Sequence, residues 1–297
     1  MTPRDIVAAL AAALALGLAF IAIKFGVREA PPLLLTALRF VFAAFPAILF
    51  VKAPRAPAAM VALYGLLIGV GQFGLLFLAI GLGMPVGLAS LVIQLQAFVT
   101  ILLAWVALGE RPNAAQMVGA GVALLGVAAI GATRLGGASL GPLLMVVGAA
   151  FCWGAGNLIG KLAGKIDMFA FVIWSSLAAP IPLFALSLLF EGDRTLPALA
   201  HPSWVLALCV AGLAYGGTIL GFGLWSRLLA RHSAADIAPF ALLIPVVGMI
   251  AGRLVFDEPF GAFELLGAAL VMAGLTFNVF GDRLIARGHF ESDQTRA

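Results

Sequence analysis

Residues 108–112 read Leu-Gly-Glu-Arg-Pro, and 148 residues further along the chain residues 256–259 read Phe-Asp-Glu-Pro. A Gly-rich apolar stretch follows each phrase. The same offset aligns Gly69 with Gly217, Leu76 with Leu224, Val99 with Val247, Ala114 with Ala262, Gly119 with Gly267, Ala120 with Ala268 and Gly126 with Gly274. An offset of 137 aligns Gly17 with Gly154 and Lys24 with Lys161, as expected if the loops of the two halves differ in length. Matches held in one register, a glutamate among them, are the mark of an internal repeat and argue against chance similarity among Ala, Leu and Gly.

The repeated unit is a membrane unit. Of 297 residues 63% are hydrophobic and 10% charged, against roughly 25% charged in an ordinary soluble domain. A spanning helix needs about 20 mostly apolar residues, and apolar runs of that length fall near 6–23, 31–51, 59–82, 86–108, 114–132, 140–162, 168–190, 203–225, 234–256 and 262–281. The runs are continuous and do not alternate with polar residues, which excludes a transmembrane barrel. The first run is followed by Lys24, Arg28 and a second span, so it reads as a retained helix and not a secretory signal.

Ten spans divide into five and five. Because five is odd, the second half enters the membrane upside down relative to the first. The expected fold is therefore all-α and integral to the membrane, with ten transmembrane helices in two inverted repeats. Residues 1–138 form the first repeat, 139–285 the second and 286–297 a polar tail, with the polar chain from Arg283 expected to fray into solvent. Placing both termini on one side collects eleven of the 17 Lys and Arg there, against five on the other, with Arg39 inside a span. The positive-inside bias makes that side cytoplasmic, with Glu110 inside and Glu258 outside.

At this point the residues resemble a known family, the drug/metabolite transporter superfamily, and within it proteins with two tandem EamA-type domains. The resemblance covers nearly the whole chain. It is carried by Gly109-Glu110-Arg111-Pro112, by Asp257-Glu258-Pro259, by Phe151-Cys152-Trp153-Gly154 with Asn157 and Lys161, by Arg39-Phe40, and by Pro245 within the ninth span. The first repeat departs from the Trp-Gly pattern with Leu16-Gly17 and Phe20, and the fourth span has Ala97 where a proline would match Pro245. The resemblance implies a secondary transporter in a bacterial inner membrane, working by alternating access and resembling most the exporters of neutral and aromatic amino acids. Carriage of another class, such as nucleosides, sugar derivatives or cationic drugs, is the alternative. It further implies a small-molecule partner, surrounding lipid, a monomer or weak dimer, and no cofactor.

Polar side chains inside apolar spans are costly, so they nominate the site. Trp153 and Asn157 share a face of the sixth span; Gln72 lies in the third; Ser90, Gln94 and Phe98 follow at helical spacing in the fourth; Tyr215, Thr218, Phe222 and Trp225 form a stripe on the eighth. With Phe20 of the first span, these amide, hydroxyl and aromatic groups suit a zwitterionic, partly apolar solute, although helix packing would explain several of the stripes equally well. Gln96 is expected to point away and pack. Arg39 is expected to pair with a carboxylate or a backbone carbonyl, ahead of capturing a carboxylate of the cargo. Glu110, Glu258 and Pro245 read as gating or structural residues.

Other functions fit poorly. The positive charges are scattered at span ends, which excludes a nucleic-acid surface. Cys152 and Cys209 sit singly in apolar runs and read as small buried hydrophobes. Neither HExxH, nor GxSxG, nor a metal-spaced histidine cluster occurs, and His201, His232 and His289 fall at loops, so a membrane enzyme is a distant reading. Proton coupling would need an intramembrane acid; Glu264 is the nearest candidate but no clear carrier emerges, so facilitated flux and proton exchange both stay open.

Overall fold

In hydrocarbon every backbone amide must find its partner within the protein, and a helix does this within one segment. The computed structural model describes residues 1–133, 140–229, 231–232 and 234–294, with side chains described for all of these except 229, 234–235 and 282–294. Among the described residues there are ten helices long and apolar enough to cross a membrane: Pro3–Glu29, Pro32–Leu49, Ala58–Gly81, Val86–Leu108, Ala114–Ala132, Gly141–Leu162, Met168–Ala200, Trp204–Leu228, Asp236–Phe256 and Ala262–Gly281. The ten expected runs are all present. The seventh is longer than expected because Glu191 and Ser187 turn inward, where they hydrogen-bond the Leu33 amide and Thr195. The last helix continues to Gln294, so the chain past Arg283 goes on as helix and does not leave it at that point. Arg134, the expected boundary at 138–139, Arg296 and the side chains of Arg283, Arg287 and His289 lie outside the described residues.

The packing obeys a two-fold exchange. The first span packs on the eighth and ninth, the sixth on the third and fourth, the second on the seventh, and the fifth on the tenth. Each of these contacts joins one half to the other. At the crossing of the fifth and tenth spans a Cβ built on Gly126 would lie 2.6 Å from the Gly267 carbonyl oxygen, and one on Gly119 2.6 Å from that of Gly274. Gly119 is the repeat partner of Gly267, and Gly126 of Gly274. One contact is therefore the image of the other, the pattern of an isologous two-fold interface. The exchange recurs nearer the centre: Gly17 abuts Val247, and its partner Gly154 abuts Val99, the partner of Val247. The two five-helix repeats are thus inverted copies packed face to face.

Irregular turns fall at matching places. The third span loosens into π-helical turns over Leu66–Gly74, and the eighth does so over Gly212–Phe222. A 3₁₀ turn at Ile93–Leu95 interrupts the fourth span, and a break at Leu242 interrupts the ninth. Pro245 explains the second break: it has no N–H, so the carbonyl of Ala241 four residues earlier loses its helical donor. The fourth span is interrupted without a proline, with Ala97 standing at that position, so the distortion belongs to the packing as well as to the residue. The helices stop alike too. Gly109 and its partner Asp257 take left-handed conformations, φ 72° and 50°, at the ends of the fourth and ninth spans, and Glu110 and Glu258 follow directly.

The crossing of the fifth and tenth spans makes a direct prediction. Gly126→Ala drives a methyl into backbone that cannot yield, so melting in detergent should reveal a loss of about 1–3 kcal/mol. Gly121→Ala on the same helix meets nothing within 4 Å and should leave the melting temperature where it is or raise it. Equal melting of the two variants would show that the close approach is not what holds the halves together.

Candidate functional site

Where the two halves meet, the irregular segments of the third, fourth, eighth and ninth spans surround a central cavity of about 50 Å³. Phe20 and Ile23 of the first span, Arg39 of the second, Gln72, Phe73 and Leu76 of the third, Ile93 and Gln94 of the fourth, Trp153 of the sixth, Gly217 and Phe222 of the eighth and Ile244 of the ninth line it. Both halves contribute, as expected for a site on the pseudo-two-fold axis of an inverted repeat. Its volume is well below the 300 Å³ or more usual for a bound metabolite. A wider cavity of about 640 Å³ lies between the start of the seventh span and the end of the eighth, lined by Ile166, Asp167, Met168, Phe169, Gly223, Ser226 and Arg227. Phe222 and Gly223, adjacent in sequence, contribute one to each.

Of the nominated residues, Phe20, Arg39, Gln72, Gln94, Trp153 and Phe222 meet at the central cavity. Gln94 also serves the ninth span: its Nε2 donates to the Ala241 carbonyl at 3.4 Å, the oxygen that Pro245 leaves without a donor. That contact requires the amide nitrogen, and Oε1 has no hydrogen-bond partner among the described residues. Ser90 is buried elsewhere, donating to the Gly87 carbonyl at 2.8 Å and to that of Pro245 at 3.4 Å. Asn157 ties the sixth span to the fourth, donating to Gln96 Oε1 at 2.7 Å and Thr100 Oγ1 at 3.0 Å. Gln96 is therefore an interhelical partner and not mere packing. Phe98 faces a separate apolar groove with Trp105 and Phe151, and Tyr215 another beside Phe42 and Leu206. Phe73, Ile23 and Leu76 are among the wall residues not nominated from sequence; only the neighbouring Gln72 hinted at Phe73.

Arg39 differs from expectation. It is 3% exposed, and no described carboxylate lies within 4 Å. One edge of its guanidinium, Nε and Nη2, donates to Thr218 Oγ1 at 3.4 and 3.2 Å. Thr218 in turn donates to the Leu213 carbonyl at 3.1 Å, within the π-helical turns of the eighth span. The guanidinium carbon sits 3.6 Å from the centroid of Phe73, with Phe40 and Phe77 at 5.4 and 5.9 Å. The partners that hold this cation are thus a hydroxyl and aromatic faces.

The two repeat-related glutamates pair with the two repeat-related lysines, each across the halves. Glu258 approaches Lys24 at 4.0 Å, and Glu110 pairs with Lys161. The pairs are unequally closed. The Glu258 side chain is 8% exposed and Glu110 51%. Glu258 also accepts the amides of Val86 at 2.8 Å and Gly87 at 3.1 Å, the unsatisfied donors at the start of the fourth span. It is a helix cap supplied by the opposite repeat. Glu264 caps its own helix, accepting the Gly261 amide at 3.0 Å. No group of three or more metal-ligating side chains occurs among the described residues.

This asymmetry is measurable. Glu258→Ala strands two buried amides, so unfolding should become easier by about 1–3 kcal/mol; Glu110→Ala removes an exposed ion pair and should cost at most about 1 kcal/mol. Thermal melts of the purified variants compare the two, and an equal loss would refute the assignment of Glu258 as the buried cap.

Comparison with known proteins agrees with the architecture. The EamA-like transporter family matches over residues 4–132 and 140–280. A protein of Escherichia coli (strain K12) named "Probable amino-acid metabolite efflux pump" is 41% identical over 290 residues, covering 95% of this chain and 97% of that protein. Its counterpart in Salmonella typhimurium is 40% identical over 291 residues, covering 96% and 97%. A solved crystal structure superposes with a TM-score of 0.65 at 20% identity, covering 96% of this chain and 99% of that one, which speaks to the fold alone. With matches over both halves and nearly the full length, the chain belongs to the EamA-like transporter family.

Proposed function

We propose that the protein exports amino acids, or metabolites close to them, with the central cavity as the transport site. The observation that carries the reading is a cavity between the two halves whose walls combine the amides of Gln72 and Gln94, the rings of Phe20 and Trp153, and the guanidinium of Arg39. A zwitterion with an apolar side chain needs this combination. The names of the Escherichia coli and Salmonella typhimurium relatives support the same cargo class.

The mechanism is alternating access between unequal ends. With the termini cytoplasmic, as the positive charges favour, the Lys24–Glu258 pair closes the outer end and the exposed Glu110–Lys161 pair marks the inner one. The wider cavity beside Asp167 and Arg227 then lies on the cytoplasmic side, where an exporter collects its cargo. Moving from one state to the other exchanges which glutamate is buried, and the repeat makes the two arrangements near mirror states. Among the described residues no Asp or Glu lines the central cavity, which supports flux down the gradient of the cargo without a proton relay at the site.

Purified protein in liposomes should move labelled neutral and aromatic amino acids down their gradient, and an imposed pH gradient should leave the initial rate unchanged. Trp153→Ala, which loses an aromatic contact worth about 1 kcal/mol, should reduce transport roughly fivefold while the protein still folds and expresses. A folded protein that moves no member of a broad amino acid panel would overturn the cargo; acceleration by a pH gradient would overturn the uncoupled mechanism.

A further inference from the structure

We propose that Arg39 is the carboxylate anchor of the central cavity, so that the cargo must carry a free carboxylate. The proposal rests on the reading of that cavity as the transport site. A charged side chain in the middle of a span is expensive, and those that persist face a cavity or a partner. Arg39 lines the cavity, is 3% exposed and has no ion-pair partner among the described residues. Its hydrogen bonds use Nε and Nη2, both on the one hydroxyl of Thr218, and Nη1 has no partner among the described residues. Phe73, with its ring centroid 3.6 Å from the guanidinium carbon, holds the plane of the cation. A planar fork fixed by a ring on its face and a hydroxyl on one edge offers its remaining edge to a planar anion, the geometry in which Arg binds carboxylates.

The repeat argues that the fold itself does not ask for this charge. The offset of 137 that aligns Gly17 with Gly154 and Lys24 with Lys161 places Ser176 opposite Arg39. Ser176 carries a hydroxyl that donates to its own helix, at the Val172 carbonyl, at 2.8 Å, and the other offset, 148, also leads to a serine, Ser187. Only one half carries the cation, as expected for a group that serves the cargo and not the symmetric scaffold.

The cavity also carries the opposite polarity. Gln94 spends its Nε2 on the Ala241 carbonyl, so the amide oxygen is the end left to accept a hydrogen bond. An α-amino acid brings both the carboxylate for Arg39 and an ammonium for an amide oxygen. Amines, nucleosides and cationic drugs lack the carboxylate and place no anion against the guanidinium. The anchor therefore selects against the alternative cargo classes by leaving a buried charge unpaired, which is how polar sites reject analogues.

Wild-type protein in liposomes, given labelled leucine as tracer, tests this with unlabelled leucine and leucinamide as competitors. Leucine should compete about ten- to a hundredfold better, the range expected for hydrogen bonds to a charged group. Equal competition by the amide overturns the anchor while leaving the transport reading intact, whereas no tracer flux at all with folded protein overturns the reading itself. In detergent, leucine should raise the melting temperature of the wild type and not that of Arg39→Gln; Arg39→Lys should recover part of the shift. Stabilisation of Arg39→Gln by leucine to the wild-type extent overturns the proposal. Should Arg39→Gln fail to fold, the competition between acid and amide in the wild type decides alone.

Discussion

Two helices in hydrocarbon gain little from hiding apolar side chains from each other, because lipid tails are just as apolar; what draws them together is close packing and hydrogen bonding. The fifth and tenth spans meet this constraint with glycine backbone on glycine carbonyl at two symmetric points. The rest of the bundle follows the same rule, with Gly17 against Val247 and Gly154 against Val99. Because these four contacts join one half to the other, the repeats do not pack as separate units. A shift at one contact must be answered at its image.

Polar groups within such a bundle are almost all committed, and each commitment has a structural cause. Pro245 orphans the Ala241 carbonyl and Gln94 supplies the donor. The fourth span begins with free amides and Glu258, from the other repeat, accepts them. Asn157 holds Gln96 and Thr100. These bonds place the interruptions of the helices beside the cavity, where irregular backbone is tolerated because protein surrounds it. Against that background the partly engaged Arg39 stands apart, and so does the inequality between the buried Glu258 and the exposed Glu110.

How far the site could be read from the sequence depended on the helix in question. Phe20, Gln72, Gln94 and Trp153 were legible because an amide or a large ring within an otherwise aliphatic run has few other reasons to be there. Phe98 and Tyr215 were assigned by helical spacing to the faces of Gln94 and Thr218, yet they line separate apolar grooves. The fourth span tightens at Ile93–Leu95 and the eighth widens over Gly212–Phe222, so a regular 100° advance per residue misplaces whatever lies on the far side of the distortion. Phe73 carried no signal of its own, since an aromatic in an apolar span is unremarkable until a cation is found over its face.

The sequence by itself determined the ten spans, their division into five and an inverted five, and the pairing of residues by position: Glu110 with Glu258, Lys24 with Lys161, the glycines of the fifth span with those of the tenth. These follow from hydropathy and from self-similarity, which are properties of the chain read along its length. Only the tertiary structure decided that each glutamate reaches the lysine of the opposite half, that Glu258 is the buried member, and that Arg39 rests on Thr218 and Phe73 and has no carboxylate beside it among the described residues. Those are contacts between spans far apart in the chain. In a helix that is apolar on every side, no periodicity tells which face meets lipid, which a neighbour and which the cavity.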